Sequence, residues 1–217
     1  MAINLAFSLV LALEVISLIF ALPKSMSKAL GKQFEILALI FLRNSFKELA
    51  LLPEPINIAG HYQILWQILA YGGGAVFIFA LLGVYLLLRK QLDDALSSGP
   101  SLDRFIRAKR TVAFFMLIIF ICLGSYDAWL MVKGDSYFDF FHYFYTVLIF
   151  SDILLVLIAQ IFLPQFPAVF RNSGYALATL LIRLSLTAPV YYDVMIGIFS
   201  ISFALVLTLV YNRFYSN

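Results

Sequence analysis

Apolar runs about as long as a bilayer is thick follow one another along the chain, separated by short connectors in which nearly all of the charge is gathered. Residues 3–22 are the first run, with Glu14 inside it. No Lys or Arg precedes it, and Pro23-Lys24 follows where a small-residue cleavage site would stand, so it reads as a first span and not a cleaved leader. Residues 33–52 are apolar from Ile36 to Leu42 and then amphipathic, with Arg43 and Lys47 four apart. This segment either crosses the bilayer or lies along its interface. Further runs cover 64–88, 111–132, 143–163, the stretch ending at Pro189, and 194–211. None shows the ten-residue alternation of a membrane strand.

The spacing therefore predicts an all-α fold, a polytopic transmembrane helical bundle with six or seven spans, seven if residues 33–52 cross. Hydrophobic residues make up 63% of the 217, against 12% charged, with mean hydropathy +0.97. No soluble core hides that much apolar surface. The longest charged connector, from Arg89 to Arg110, leaves no room for a separate soluble domain, so 1–217 reads as a single membrane domain.

Charge then sets the orientation. Lys24, Lys28 and Lys32 lie before the second run, whereas the connector after it, Pro53 to Gln63, has Glu54 and no basic residue. Arg89, Lys90, Arg104, Arg107, Lys109 and Arg110 share the next connector, Arg171 lies in a later one, and Arg213 is near the C-terminus. A seven-span path puts every basic cluster on one face, which the positive-inside rule assigns to the cytoplasm, C-terminus included. A net charge of +3 distributed in this way is topology information and gives no footprint for nucleic acid.

Candidate chemistry is sparse. Cys122 is the single cysteine, and His61 and His142 sit at span ends, too few ligands for zinc or haem. No nucleophile–base pair or phosphate-binding loop appears, so neither a cofactor nor an enzyme is expected. Gly72-Gly73-Gly74 lies within a span and reads as a close-packing site or a kink. The buried polar candidates are Glu14, Asp152 and Arg183. At 1.5 Å per residue Arg183 is about 15 Å into its span from Ser173, and Asp152 about 13 Å into the neighbouring one from Tyr143. Similar depth on antiparallel neighbours makes them the expected pair, either a static lock on helix register or part of an ion path. Glu14, about 16 Å into the first run, has no assigned partner. Asp127 and Asp193 are expected near the outer face, hydrated or capping helices, and Tyr191, Tyr192, Tyr211 and Tyr215 are expected as interfacial anchors.

The segment 165–212, with Phe166-Pro167, Tyr175, Thr179, Ile182-Arg183-Leu184, Asp193-Val194 and Thr208-Leu209, together with the run around Asp152, resembles the phosphate-starvation-inducible protein E (PsiE) family of small bacterial inner-membrane proteins. The resemblance covers 111–217 as a four-helix region and leaves 1–110 outside it. It implies a multi-pass place in the bacterial inner membrane more than a mechanism. Two functions follow as expectations: an ion- or solute-transport-type protein with a polar interior, or a non-catalytic accessory or assembly subunit of a larger membrane complex. The expected partners are the lipid bilayer and other copies of this chain or other membrane proteins.

Overall fold

The computed structural model describes residues 13, 16, 17, 19, 20, 26–51, 62–93, 100–133, 140–162 and 166–215, and these are helical almost throughout, with no strand among them. Among the described residues six helices follow in order: α1 Met26–Leu49, α2 Tyr62–Asp93, α3 Pro100–Lys133, α4 Phe140–Phe162, α5 Phe166–Thr187 and α6 Tyr192–Tyr215. The expected span at 3–22 and its Glu14 lie outside the described residues, apart from isolated positions of that run.

Among the described residues three helical segments are long and apolar enough to cross a membrane: Tyr62–Arg89, Arg107–Leu130 and Tyr192–Arg213. That is fewer than the six or seven spans expected from the sequence. For α1 and α5 the difference has a physical origin: α1 carries Lys28, Lys32, Glu35, Arg43, Lys47 and Glu48 among its apolar residues, and α5 carries Arg171, Asn172 and Arg183, so neither is apolar enough by composition alone. α4 has 23 residues and Asp152 as its single charge, and the continuous apolar stretch among its described residues is Thr146–Ile158.

The chain divides into two compact units, each built from discontinuous segments. The first takes Met1–Ala29 with Ser98–Ala176, and the second Leu30–Ser97 with Leu177–Asn217. The resemblance boundary at 110/111 cuts across this division, since α3 belongs to the first unit and α6 to the second.

In the first unit α3 and α4 form an antiparallel hairpin held by aromatic side chains. Phe120 meets Phe140 and Phe144 edge to face at 5.4 and 5.1 Å between centroids, and Phe140 stacks on Phe144. Each such pair contributes about 0.5–1.5 kcal/mol beyond its buried area. On α3 the stripe Lys109, Ala113 and Met116 is buried at helical spacing, while Phe114, Phe115, Ile121 and Trp129 are exposed.

The second unit is a bundle of α1, α2, α6 and the C-terminal half of α5. Gly31 of α1 lies at Arg89 of α2, Phe34 packs on Tyr85, Phe41 on Tyr71, and the Ser45 hydroxyl donates to the Ile68 carbonyl. These pairs run in opposite numerical senses, so α1 is antiparallel to α2 along nearly its whole length. Tyr71 meets Asp193, Gly74 meets Val194, and the Asn212 amide donates to the Leu88 carbonyl at 3.0 Å. Here the numbers rise together, so α2 and α6 are parallel. The Ser200 hydroxyl donates to the Ala178 carbonyl and that of Ser185 to the Asp193 carbonyl, which fixes α5 as antiparallel to α6.

One seam explains why α6 packs so tightly. Asp193, Gly197, Ser200, Ala204 and Thr208 recur every three or four residues, and all are buried. Small side chains let helices approach and gain dispersion contact where lipid offers no hydrophobic drive for association. A Cβ built at Gly197 would stand 3.2 Å from atoms of both Leu37 and Phe41, so α1 rests on the α6 backbone at that point. Around both units the outward residues are apolar, with Val76, Phe79, Leu87, Phe150 and Ile161 all more than 65% exposed, while Lys109, Asp152, Arg171, Arg183 and Asp193 are at most 6% exposed. Polar inside and apolar outside is the distribution a bilayer imposes.

Candidate functional site

The first unit buries a group of charges. Among its described residues the buried ionisable side chains are Lys109 on α3, Asp152 on α4 and Arg171 on α5, with Ser151 and Asn172 beside the latter two in sequence. Each of the three charged residues has an interaction partner. Two cations and one anion of this unit are therefore removed from solvent, where an uncompensated charge is costly. The Ser151 hydroxyl folds back onto its own helix, donating to the Leu148 carbonyl at 2.7 Å.

The second unit holds a polar centre where α5 turns into α6. Pro189 cannot continue α5, and Tyr191 adopts φ 76°, the left-handed region that a bulky side chain enters at a cost of roughly 1–2 kcal/mol. Hydrogen bonds around Asp193 offset that cost. Its N–H donates to the Pro189 carbonyl at 3.1 Å, its carboxylate accepts the Val194 N–H at 2.7 Å, and its carbonyl accepts the Ser185 hydroxyl at 2.6 Å. The Tyr71 hydroxyl of α2 donates to the same carboxylate. Asp193 thus joins three helices through one side chain and its own backbone.

Asp193 caps α6, as the sequence suggested, but it is buried and not hydrated at the surface. The reason is the parallel approach of α2, which brings the Tyr71 ring over the turn. Tyr71→Phe is expected to lose about 1–3 kcal/mol, the value of a hydrogen bond to a carboxyl group. Asp193→Asn keeps an acceptor for the Val194 N–H and is expected to cost less than Asp193→Ala, which also removes the cap, worth roughly 0.5–2 kcal/mol. Denaturant unfolding in detergent micelles ranks the three; equal losses for Asn and Ala would remove the cap from the account.

Of the residues singled out from the sequence, Asp152 is buried in the first unit and Arg183 in the second, so neither unit by itself contains the expected pair. Arg183 is two positions from Ser185, hence on the opposite face of α5 from the contact with Asp193. Lys109, Arg171, Tyr71 and Ser185 were not singled out. Lys109 had a signal, since it continues the stripe of Ala113 and Met116 four and seven residues on, but counting it with the connector charges concealed it. The small-residue seam that begins at Asp193 was equally visible. Tyr71 had none, because only the pairing of α2 with α6 gives its hydroxyl a partner.

No family model matches the chain, and no curated protein or solved structure matches it either.

Proposed function

We propose that this chain is a multi-pass protein of the bacterial inner membrane with its C-terminus in the cytoplasm, and that it is a transport-type protein whose ion or solute path uses buried charges of the bundle. The observation that carries the reading is the burial of Lys109, Asp152, Arg171 and Arg183 inside helices whose outer faces are Phe, Leu and Val. Ionisable groups held inside a membrane bundle, as Asp152 and Arg183 are at mid-span in this topology, are expensive and typically mark ion or substrate routes. Seven spans are part of the proposal. What supports them is the course of α1, which follows α2 from the Arg89 end to Ile68, together with the parallel α2 and α6, whose C-terminal basic residues Arg89 and Arg213 then share a face. Kinship of 111–217 with PsiE proteins belongs to the same proposal and rests on the residues quoted above.

The topology is tested directly. Cysteines introduced at Ser98 and Ser216, in a Cys122→Ser background, should resist an impermeant thiol reagent in intact cells. A reporter fused after Asn57 should read as external and one after Lys28 as cytoplasmic. The same sidedness for both fusions would place α1 along the interface. For the activity, the purified chain in vesicles should raise proton or potassium permeability above that of protein-free vesicles, and Asp152→Asn should lower it. Unchanged permeability, combined with a stoichiometric partner that always copurifies in mild detergent, would give the chain to the accessory-subunit reading.

A further inference from the structure

The outward face of α3 changes character along its length. Lys109, Ala113 and Met116 mark the buried side of the helix. On the opposite side Arg104, Arg107 and Arg110 are exposed, and Phe114, Phe115 and Ile118 continue the same face. At about 100° per residue the three arginines fan over roughly 120° of the helix surface, with the three apolar side chains within or beside that arc. No ion pair or hydrogen bond holds any of the three guanidiniums among the described residues. Each keeps its charge at any physiological pH. Asp103, four residues before Arg107, is the nearest acid in sequence, and set against the three arginines it still leaves two positive charges on the face.

The depth of these charges follows from the apolar segment Arg107–Leu130, whose middle lies between Ile118 and Ile119. At 1.5 Å per residue Arg110 is about 13 Å from that point, Arg107 about 17 Å and Arg104 about 22 Å. The hydrocarbon half ends at about 15 Å and the headgroup layer at about 20–22 Å. Arg104 and Arg107 therefore stand at headgroup level, and Arg110 reaches it by extending its side chain outward. The other end of the helix agrees with this register. Trp129, about 16 Å beyond the middle, is exposed and stacked on Tyr126 at 6.2 Å, as in an interfacial aromatic belt. There the cation is already engaged, with Lys133 Nζ 3.8 Å from the centroid of the Trp129 ring. One end of the face thus carries a single lysine seated on an indole, and the other carries three guanidiniums above a strip of Phe and Ile. A guanidinium fork matches a phosphate with two parallel hydrogen bonds. A zwitterionic headgroup brings its own cation, which the arginines repel, so the face favours a headgroup of net negative charge.

We propose that this face of α3 holds one anionic phospholipid of the leaflet on the Arg107 side, its phosphate among Arg104, Arg107 and Arg110 and an acyl chain along Phe114, Phe115 and Ile118. The site rests on the reading that α3 crosses a bilayer. It is independent of whether the chain conducts an ion or solute.

The test is native mass spectrometry of the full chain in mild detergent with added phosphatidylglycerol or phosphatidylcholine. The wild type should retain one phosphatidylglycerol per chain in preference to phosphatidylcholine. Arg104→Gln and Arg107→Gln should each reduce that preference about fivefold, as expected for loss of one basic residue near an anionic headgroup, and the variant that also carries Arg110→Gln should lose it. All three side chains are exposed, so the unfolding midpoint should stay at the wild-type value. Lys133→Gln, at the opposite end, should leave the preference unchanged; a loss equal to that of Arg107→Gln would mean diffuse charge attraction and overturn the site. An undiminished preference in the triple variant overturns it as well. Glycerol phosphate, which lacks acyl chains, should not displace the bound lipid, and displacement would reduce the site to one for a free anion. A wild type without lipid preference that resists carbonate extraction overturns the site and leaves the bilayer reading intact, whereas release by carbonate removes that reading itself.

Discussion

Gly74→Ala will destabilise the protein by about 1–3 kcal/mol, the usual cost of forcing one extra carbon into a packed interior. The added Cβ would stand 2.5 Å from Val194 Cγ1, closer than real side chains tolerate, and Val194 is itself buried at the start of α6. Gly73→Ala is the internal control. No atom lies within 4 Å of a Cβ at that position, so the substitution should be neutral or stabilising by up to about 1 kcal/mol through helix propensity. Gly72 is intermediate, with the Ser45 hydroxyl 3.4 Å away. Removing the obstruction should rescue the worst case, so Gly74→Ala with Val194→Ala should be more stable than the sum of the two single losses allows. Unfolding midpoints of the four variants in one detergent settle the matter. Equal losses at 73 and 74 would mean that the glycines serve only to bend α2, and the parallel packing of α2 on α6 would lose its main support.

The glycine triplet shows how far the sequence carries. A run of three glycines inside a span announces a close approach, and that approach exists. Which glycine makes it depends on the face of α2 that α6 covers, and α6 is 120 residues away in sequence. The helices themselves were legible from apolar runs, because hydropathy is local and cumulative. α1 was the ambiguous one because its polar residues are scattered: its buried face of Phe34, Leu37 and Phe41 is apolar, but Lys32, Glu35, Arg43 and Lys47 interrupt the pattern. Burial of Asp152 and Arg183 was legible from depth alone. Their neighbours were not, since depth is one coordinate and packing needs three. The triplet Arg43-Asn44-Ser45, which returns as Arg171-Asn172-Ser173, illustrates the same limit. It stands near the C-terminal end of α1 and the N-terminal start of α5, so the two copies hold different positions along their helices.

Asp152→Asn should be among the most damaging single changes in the first unit. It removes the one buried carboxylate among the described residues there, while Lys109 and Arg171 stay buried and charged. Taking one member from a buried charge group costs on the order of 3–5 kcal/mol, because the remaining charge has lost its compensation, whereas removing both members of a pair is often close to neutral. Arg171→Gln in the same unit should therefore recover a substantial part of the loss when combined with Asp152→Asn. The coupling is read from a double-mutant cycle on unfolding in detergent, where distant, independent sites add to within about 0.5 kcal/mol. The same cycle with Arg183→Gln tests the pairing expected from equal depth in the span. Strong coupling to Arg171 with strict additivity for Arg183 assigns Asp152 to its own unit and rejects the expected pair. Strong coupling to Arg183 restores that pair, and additivity with both would mean that Asp152 is compensated by Lys109, for which Lys109→Gln completes the series. Transport measurements on the same double mutants then separate the roles: a variant that regains wild-type stability but not permeability shows that the charges serve the path, since a register lock would have been repaired with the fold.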